Sequence, residues 1–107
     1  MAGIVQVVTT TGSQADAERI GRALVEQRLA ACVQIDGPIN SIYRWQDAIE
    51  SGQEWRLTIK SLSSIFPRLE AAIRELHPYQ TAEILATEVV AVSEAYRQWL
   101  EAAVAGS

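Results

Sequence analysis

A chain of 107 residues has the size of one domain, and with 49% hydrophobic and 21% charged residues it can bury about two thirds of its unfolded surface, which excludes a disordered chain. Its formal charge of -4 is too acidic for a protein that tracks a phosphate backbone, so nucleic acid is not expected as a partner. No run nears the roughly 18 apolar residues of a membrane span, the N-terminal stretch MAGIVQVVTT lacks a basic leader region, and the only cysteine, Cys32, suits a reducing compartment; a soluble cytoplasmic protein is expected.

Ile4 to Thr10, rich in Val, Ile and Thr, predicts a first strand that ends in the turn Thr11-Gly12-Ser13. Ser13 followed by Asp16 resembles a capping box and opens a helix. Its inner face carries Ala17, Ile20, Gly21, Leu24 and Val25, and it fades near Leu29. Ala31 to Trp45 and Gln53 to Leu62 then predict two long strands. The second alternates strictly, with Trp55, Leu57 and Ile59 against Glu54, Arg56, Thr58 and Lys60. The first is looser, and Gly37-Pro38 predicts a kink or bulge. Fifteen residues of strand reach about 50 Å, roughly twice what a small sheet can pair internally, so the surplus needs a partner. Residues 46–52 are expected to form a loop longer than a minimal turn.

Ser63-Ser64 offers an N-cap, and Pro67 is tolerable in a first helical turn. Phe66, Leu69, Ile73 and Leu76 supply the apolar stripe of this second helix, which Pro78 ends. A strand from Glu83 to about Val92 is apolar enough to be buried. Ser93 then caps a last helix with Tyr96, Trp99, Leu100 and Ala103 on one face. The order predicts an α+β, ferredoxin-like β-α-β-β-α-β sandwich, a single domain over residues 1–107, with an extra C-terminal helix and a long hairpin between its second and third strands.

Three common occupants of this topology are excluded by their motifs. Glu54-Trp55-Arg56-Leu57-Thr58-Ile59-Lys60 lacks the Lys/Arg-Gly-aromatic pattern of an RNA recognition module. Thr9 to Ser13 carries neither the Cys-x-x-Cys of a soft-metal carrier nor the glycine-rich, arginine-bearing anion loop of an acyl-phosphate hydrolase. No nucleophile stands beside a base, so no enzyme is expected.

Arg28-Leu29-Ala30-Ala31-Cys32-Val33, Ser41-Ile42-Tyr43-Arg44-Trp45, Glu75-Leu76-His77-Pro78-Tyr79 and Tyr96-Arg97-Gln98-Trp99-Leu100, with Ala17-Glu18-Arg19-Ile20 and Glu83-Ile84, resemble the CutA family of divalent-cation tolerance proteins over essentially the whole chain. The resemblance implies a homotrimer, related in architecture to the PII signal proteins, whose long hairpins pair across subunit boundaries, and it implies binding of divalent metal, copper first. Gln80 departs from the family's Glu after His-Pro-Tyr, and Thr81-Ala82 from its Val-Pro, which removes a carboxylate beside His77.

The metal-ligand candidates are Cys32, His77 and Glu83, with Asp36 as a further oxygen donor. Cys32 at a strand start is more often a small core hydrophobe, and His77 at a helix C-terminus also complements the helix dipole. Tyr43, Trp45, Trp55, Tyr79, Tyr96 and Trp99 are candidates for a ligand cleft, although aromatics in so small a chain more commonly fill the core or a subunit interface. Lys60, with Arg44 and Arg56, offers charge for an anionic ligand between subunits, the alternative function, though solvated strand faces carry such charges routinely.

Overall fold

Ile4–Thr11 forms strand β1, and its burial follows from its central place in the sheet: β3 pairs along one side and β4 along the other. A computed structural model describes residues 3–104. Helix α1, Gln14–Glu26, begins where expected, with the Asp16 N–H donating to Ser13 Oγ at 3.1 Å. It ends three residues before Leu29. The Arg28 N–H donates to the Val25 carbonyl and the Leu29 N–H to the Leu24 carbonyl, the pairing of a Schellman cap, with Arg28 in the left-handed position at φ 59. Ala17, Ile20, Gly21 and Leu24 face the core, whereas Val25 is partly exposed.

Strands β2, Cys32–Trp45, and β3, Ala48–Leu62, are joined by Gln46 and Asp47 alone. Both stand at positive φ, 49 and 65, as a type I′ turn requires, so the expected loop over residues 46–52 is instead a tight turn and five more strand residues. Gly37-Pro38 does form the bulge: Asp36 lies opposite Arg56 and Ile39 opposite Glu54, leaving both residues against Trp55, and the peptide between them is cis. Trp55 fills the space above Gly37, where a Cβ would lie 2.6 Å from Trp55 Cδ1.

After β3, Ser63–Ile65 makes a single 3-10 turn and helix α2 runs Phe66–Leu76 with Pro67 in its first turn. No side chain caps this helix, so Ser63-Ser64 is a turn rather than the expected N-cap; the Ser63 N–H donates instead to the Gly3 carbonyl. The last strand, β4, spans only Leu85–Glu88 and is exposed, against the expectation of a buried strand to about Val92. Among the described residues its one partner is β1, which begins at Ile4, so pairing stops after the Val89 N–H reaches the Ile4 carbonyl. Helix α3, Glu94–Ala103, starts at Ser93, whose Oγ accepts from the Tyr96 N–H.

The sheet order is β2-β3-β1-β4, every neighbouring pair antiparallel. Inserting β3 between β1 and β2, and β1 between β3 and β4, gives the two interleaved β-α-β units of the ferredoxin-like fold. One sheet face meets α1 and α2 through Val7, Leu57, Ile59, Ile20, Leu24, Leu69 and Ile73, all fully buried. At about 1.5–3 kcal/mol for each large aliphatic side chain buried, this layer dominates the stability of the fold. The other face carries Gln6, Val8, Arg56, Thr58 and Lys60, which retain contact with solvent.

β1 covers β3 only as far as Thr11 opposite Trp55. Beyond it, β2 and β3 continue as a two-stranded ribbon that draws the molecule out to 45 × 25 × 22 Å. The ribbon exposes Ile42, Tyr43, Trp45 and Ile49, the last at 70%.

A cleft at the root of the ribbon

Two residues of the bulge opposite one of β3 change which side chains share a face. Before it, Cys32, Gln34 and Asp36 stand with Lys60, Thr58 and Arg56 on the open face; after it, Ile39, Ser41, Tyr43 and Trp45 do. Tyr43 and Trp45 therefore lean over the same side as Glu54, toward the segment that follows α2. Between ribbon and segment lies a cleft of about 690 Å³ lined by Thr10, Ser41, Tyr43, Trp45, Glu54, Tyr79 and Glu83, among others.

The segment is held by His77, which is 7% exposed. Its Nε2 lies 2.7 Å from the Thr10 carbonyl oxygen, and its Nδ1 lies 3.1 Å from the Tyr79 backbone nitrogen. A carbonyl only accepts and a backbone N–H only donates, so the ring is the neutral Nε2–H tautomer with Nδ1 accepting. No lone pair on the ring is left for a metal in this conformation. His77 braces the segment against β1, and Tyr79 packs on its ring at a centroid distance of 4.8 Å.

Tyr79 then reaches across the cleft, its hydroxyl donating to Glu54 Oε2 at 3.1 Å. Partial burial, the bond to Glu54 and that carboxylate's charge push its phenol up to about 12. Tyr43 is near enough to add to this shift, which places both rings at one cleft. Arg56, close enough to Glu83 to feel its charge, is engaged with Asp36 through contacts of 3.5 Å from Nε and 3.2 Å from Nη2. That bond, with the pair's attraction, holds the guanidinium above its ordinary value.

The structure sorts the predicted site residues into separate places. Tyr43, Trp45, Tyr79 and Glu83 meet at the cleft. Trp55 fills the bulge, Lys60 donates to Gln34 at 2.7 Å, and Trp99 stacks on Tyr96 along α3. Cys32, partly exposed, lies opposite Lys60, four residues along β3 from Arg56, a distance of about 13 Å. Its thiol adds to burial in raising the Tyr96 phenol. Among the described residues, no three His, Cys, Asp or Glu side chains converge as a metal site, so Cys32, His77 and Glu83 do not meet within one subunit. The sequence reading passed over Glu54, Ser41 and Thr10; the i, i+2 run Ser41-Tyr43-Trp45 is the signal that leads to them.

Residues 5–103 match the family model described as CutA1 divalent ion tolerance protein. The divalent-cation tolerance protein CutA of Thermus thermophilus is 42% identical over 94 residues, covering 88% of this chain and 91% of that protein. The human protein CutA is 44% identical over 84 residues, 78% of this chain and 47% of the relative, so the chain spans about half the length of that longer protein. A solved structure from Archaeoglobus fulgidus, described as a periplasmic divalent cation tolerance protein CutA, superposes with a TM-score of 0.91 at 30% identity, over 94% of this chain and 97% of that one.

Proposed function

The chain belongs to the CutA1 divalent ion tolerance family, and from that premise we propose that it serves divalent-cation tolerance as a non-catalytic homotrimer that binds divalent copper between its subunits. The observation that carries the assembly is the ribbon. Residues 48–54 of β3 are bonded to β2 on one side and lack a β1 partner on the other, next to exposed Ile42 and Ile49. Such an edge invites pairing with another chain, and a closed ring satisfies it without open-ended growth. Symmetry also supplies the metal donors that one subunit does not gather, since every ligand recurs in each copy. Cys32 is the partly exposed soft donor of this reading, and copper heads the divalent affinity series for such donors.

Light scattering at micromolar protein gives the mass of three chains on this reading, and a monomeric mass refutes it. Calorimetry with copper gives binding that Cys32→Ser weakens; an unchanged isotherm in that variant moves the site away from the thiol. The cytoplasm is the proposed compartment, on the strength of one free thiol, although the Archaeoglobus relative is described as periplasmic. Cell fractionation decides between them. The alternative of a small anionic ligand between subunits would draw on Lys60, Arg44 and Arg56 rather than on this cleft, whose described lining includes Glu54 and Glu83 and no basic side chain.

A further inference from the structure

We infer that the cleft between the ribbon and the segment after α2 is a binding site for a small organic ammonium ion. A volume of about 690 Å³ falls within the size range of small-molecule sites. Its walls combine two chemistries that favour a cation. Tyr43, Trp45 and Tyr79 present ring systems whose faces are electron-rich, and Glu54 and Glu83 supply negative charge. Among the described residues no Lys, Arg or His lines it, and the neighbouring Arg56 is committed to Asp36.

The aromatic walls decide which cation. A hydrated metal ion needs oxygen, nitrogen or sulfur donors around it, and ring faces provide none. Alkylated ammonium spreads its charge over C–H groups, and those are what ring faces accept. Part of the site is also organised before any ligand enters. His77 fixes the Tyr79 backbone, and the Tyr79 hydroxyl is tied to Glu54. A fixed wall saves the ordering cost that a mobile one would add on binding.

The test uses the full-length protein in its native assembly, with choline as probe and 3,3-dimethylbutan-1-ol as its uncharged isostere, followed by calorimetry and tryptophan fluorescence. Choline is expected to bind at least ten-fold more tightly than the alcohol. Glu83→Gln, which keeps the shape of an exposed side chain, and Trp45→Leu, which removes a ring face, are each expected to weaken choline several-fold, with the assembly mass checked in both. Magnesium chloride, compared with sodium chloride at equal ionic strength, is expected not to displace choline. Equal affinity for choline and the alcohol, no choline binding by the wild-type protein, an unchanged affinity in Glu83→Gln, or displacement by magnesium would each overturn the inference.

Discussion

Replacing His77 by Ala separates a structural histidine from a metal ligand. The side chain is buried, donates to the Thr10 carbonyl at 2.7 Å, accepts from the Tyr79 N–H at 3.1 Å and packs on the Tyr79 ring. Each hydrogen bond contributes about 1 kcal/mol net, and a tilted ring pair about 1 kcal/mol more. The loss should therefore be about 3 kcal/mol, and larger if the Thr10 carbonyl, on a buried residue, stays dry. Urea unfolding at one fixed protein concentration measures it, because assembly makes the midpoint depend on concentration. The midpoint should fall with the slope unchanged, and copper bound per folded chain should stay at the wild-type value. A loss below about 1 kcal/mol would refute the bracing role. So would a variant that keeps its stability and loses copper.

Gly37→Ala places a Cβ 2.6 Å from Trp55 Cδ1 and 3.0 Å from the Glu54 carbonyl oxygen, so the bulge must open; a cost of about 1–3 kcal/mol is expected in thermal unfolding, and an unchanged melting temperature would contradict the packing described. Tyr79, raised to about 12 from 10.0, should give an ionisation step near pH 12 in an ultraviolet absorbance titration, and Tyr79→Phe should delete that step. Because the folded value lies above the unfolded one, the stabilisation linked to this phenol is complete below pH 10.0 and is lost as pH rises toward 12; a variant with the wild type's alkaline stability profile would rule this out. Ser13→Ala removes the acceptor for the Asp16 N–H and should destabilise by about 0.5–2 kcal/mol in the same urea assay, whereas Asp36→Asn, at an exposed ion pair, should cost less than about 1 kcal/mol.

Features whose cause is local were legible from residue types alone. Ser13 and Ser93 cap because their oxygens meet an N–H three residues on, Pro78 ends α2, and Gly37-Pro38 marks the bulge. Features whose cause is a distant partner were not. β4 looked long and buried by composition, but its length is set by where β1 begins, and its exposure by its place at the sheet edge. The tight turn escaped because Gln46-Asp47 contains neither Gly nor Asn, and the I′ geometry is imposed by the strands it joins. Arg28 hides the end of α1 in the same way, taking a left-handed position usually held by Gly. At the site, Tyr43, Trp45, Tyr79 and Glu83 were identified singly, but only the register brings them to one cleft. His77 carried chemical promise as an isolated imidazole, and the fold uses both of its nitrogens.

The bulge at Gly37-Pro38 makes β2 a strand with two phases, even-numbered residues toward the open face before it and odd-numbered residues after it. Taking both residues into regular pairing, without the bulge, would slip β2 by one residue against β3 along the ribbon and turn each of its ribbon side chains to the opposite side. Ile42 and Arg44 would then take the positions of Tyr43 and Trp45, bringing a fixed positive charge to a wall that now has none. The electrical sign of this surface is therefore written in the strand's phase, which the bulge holds, as much as in its amino acids.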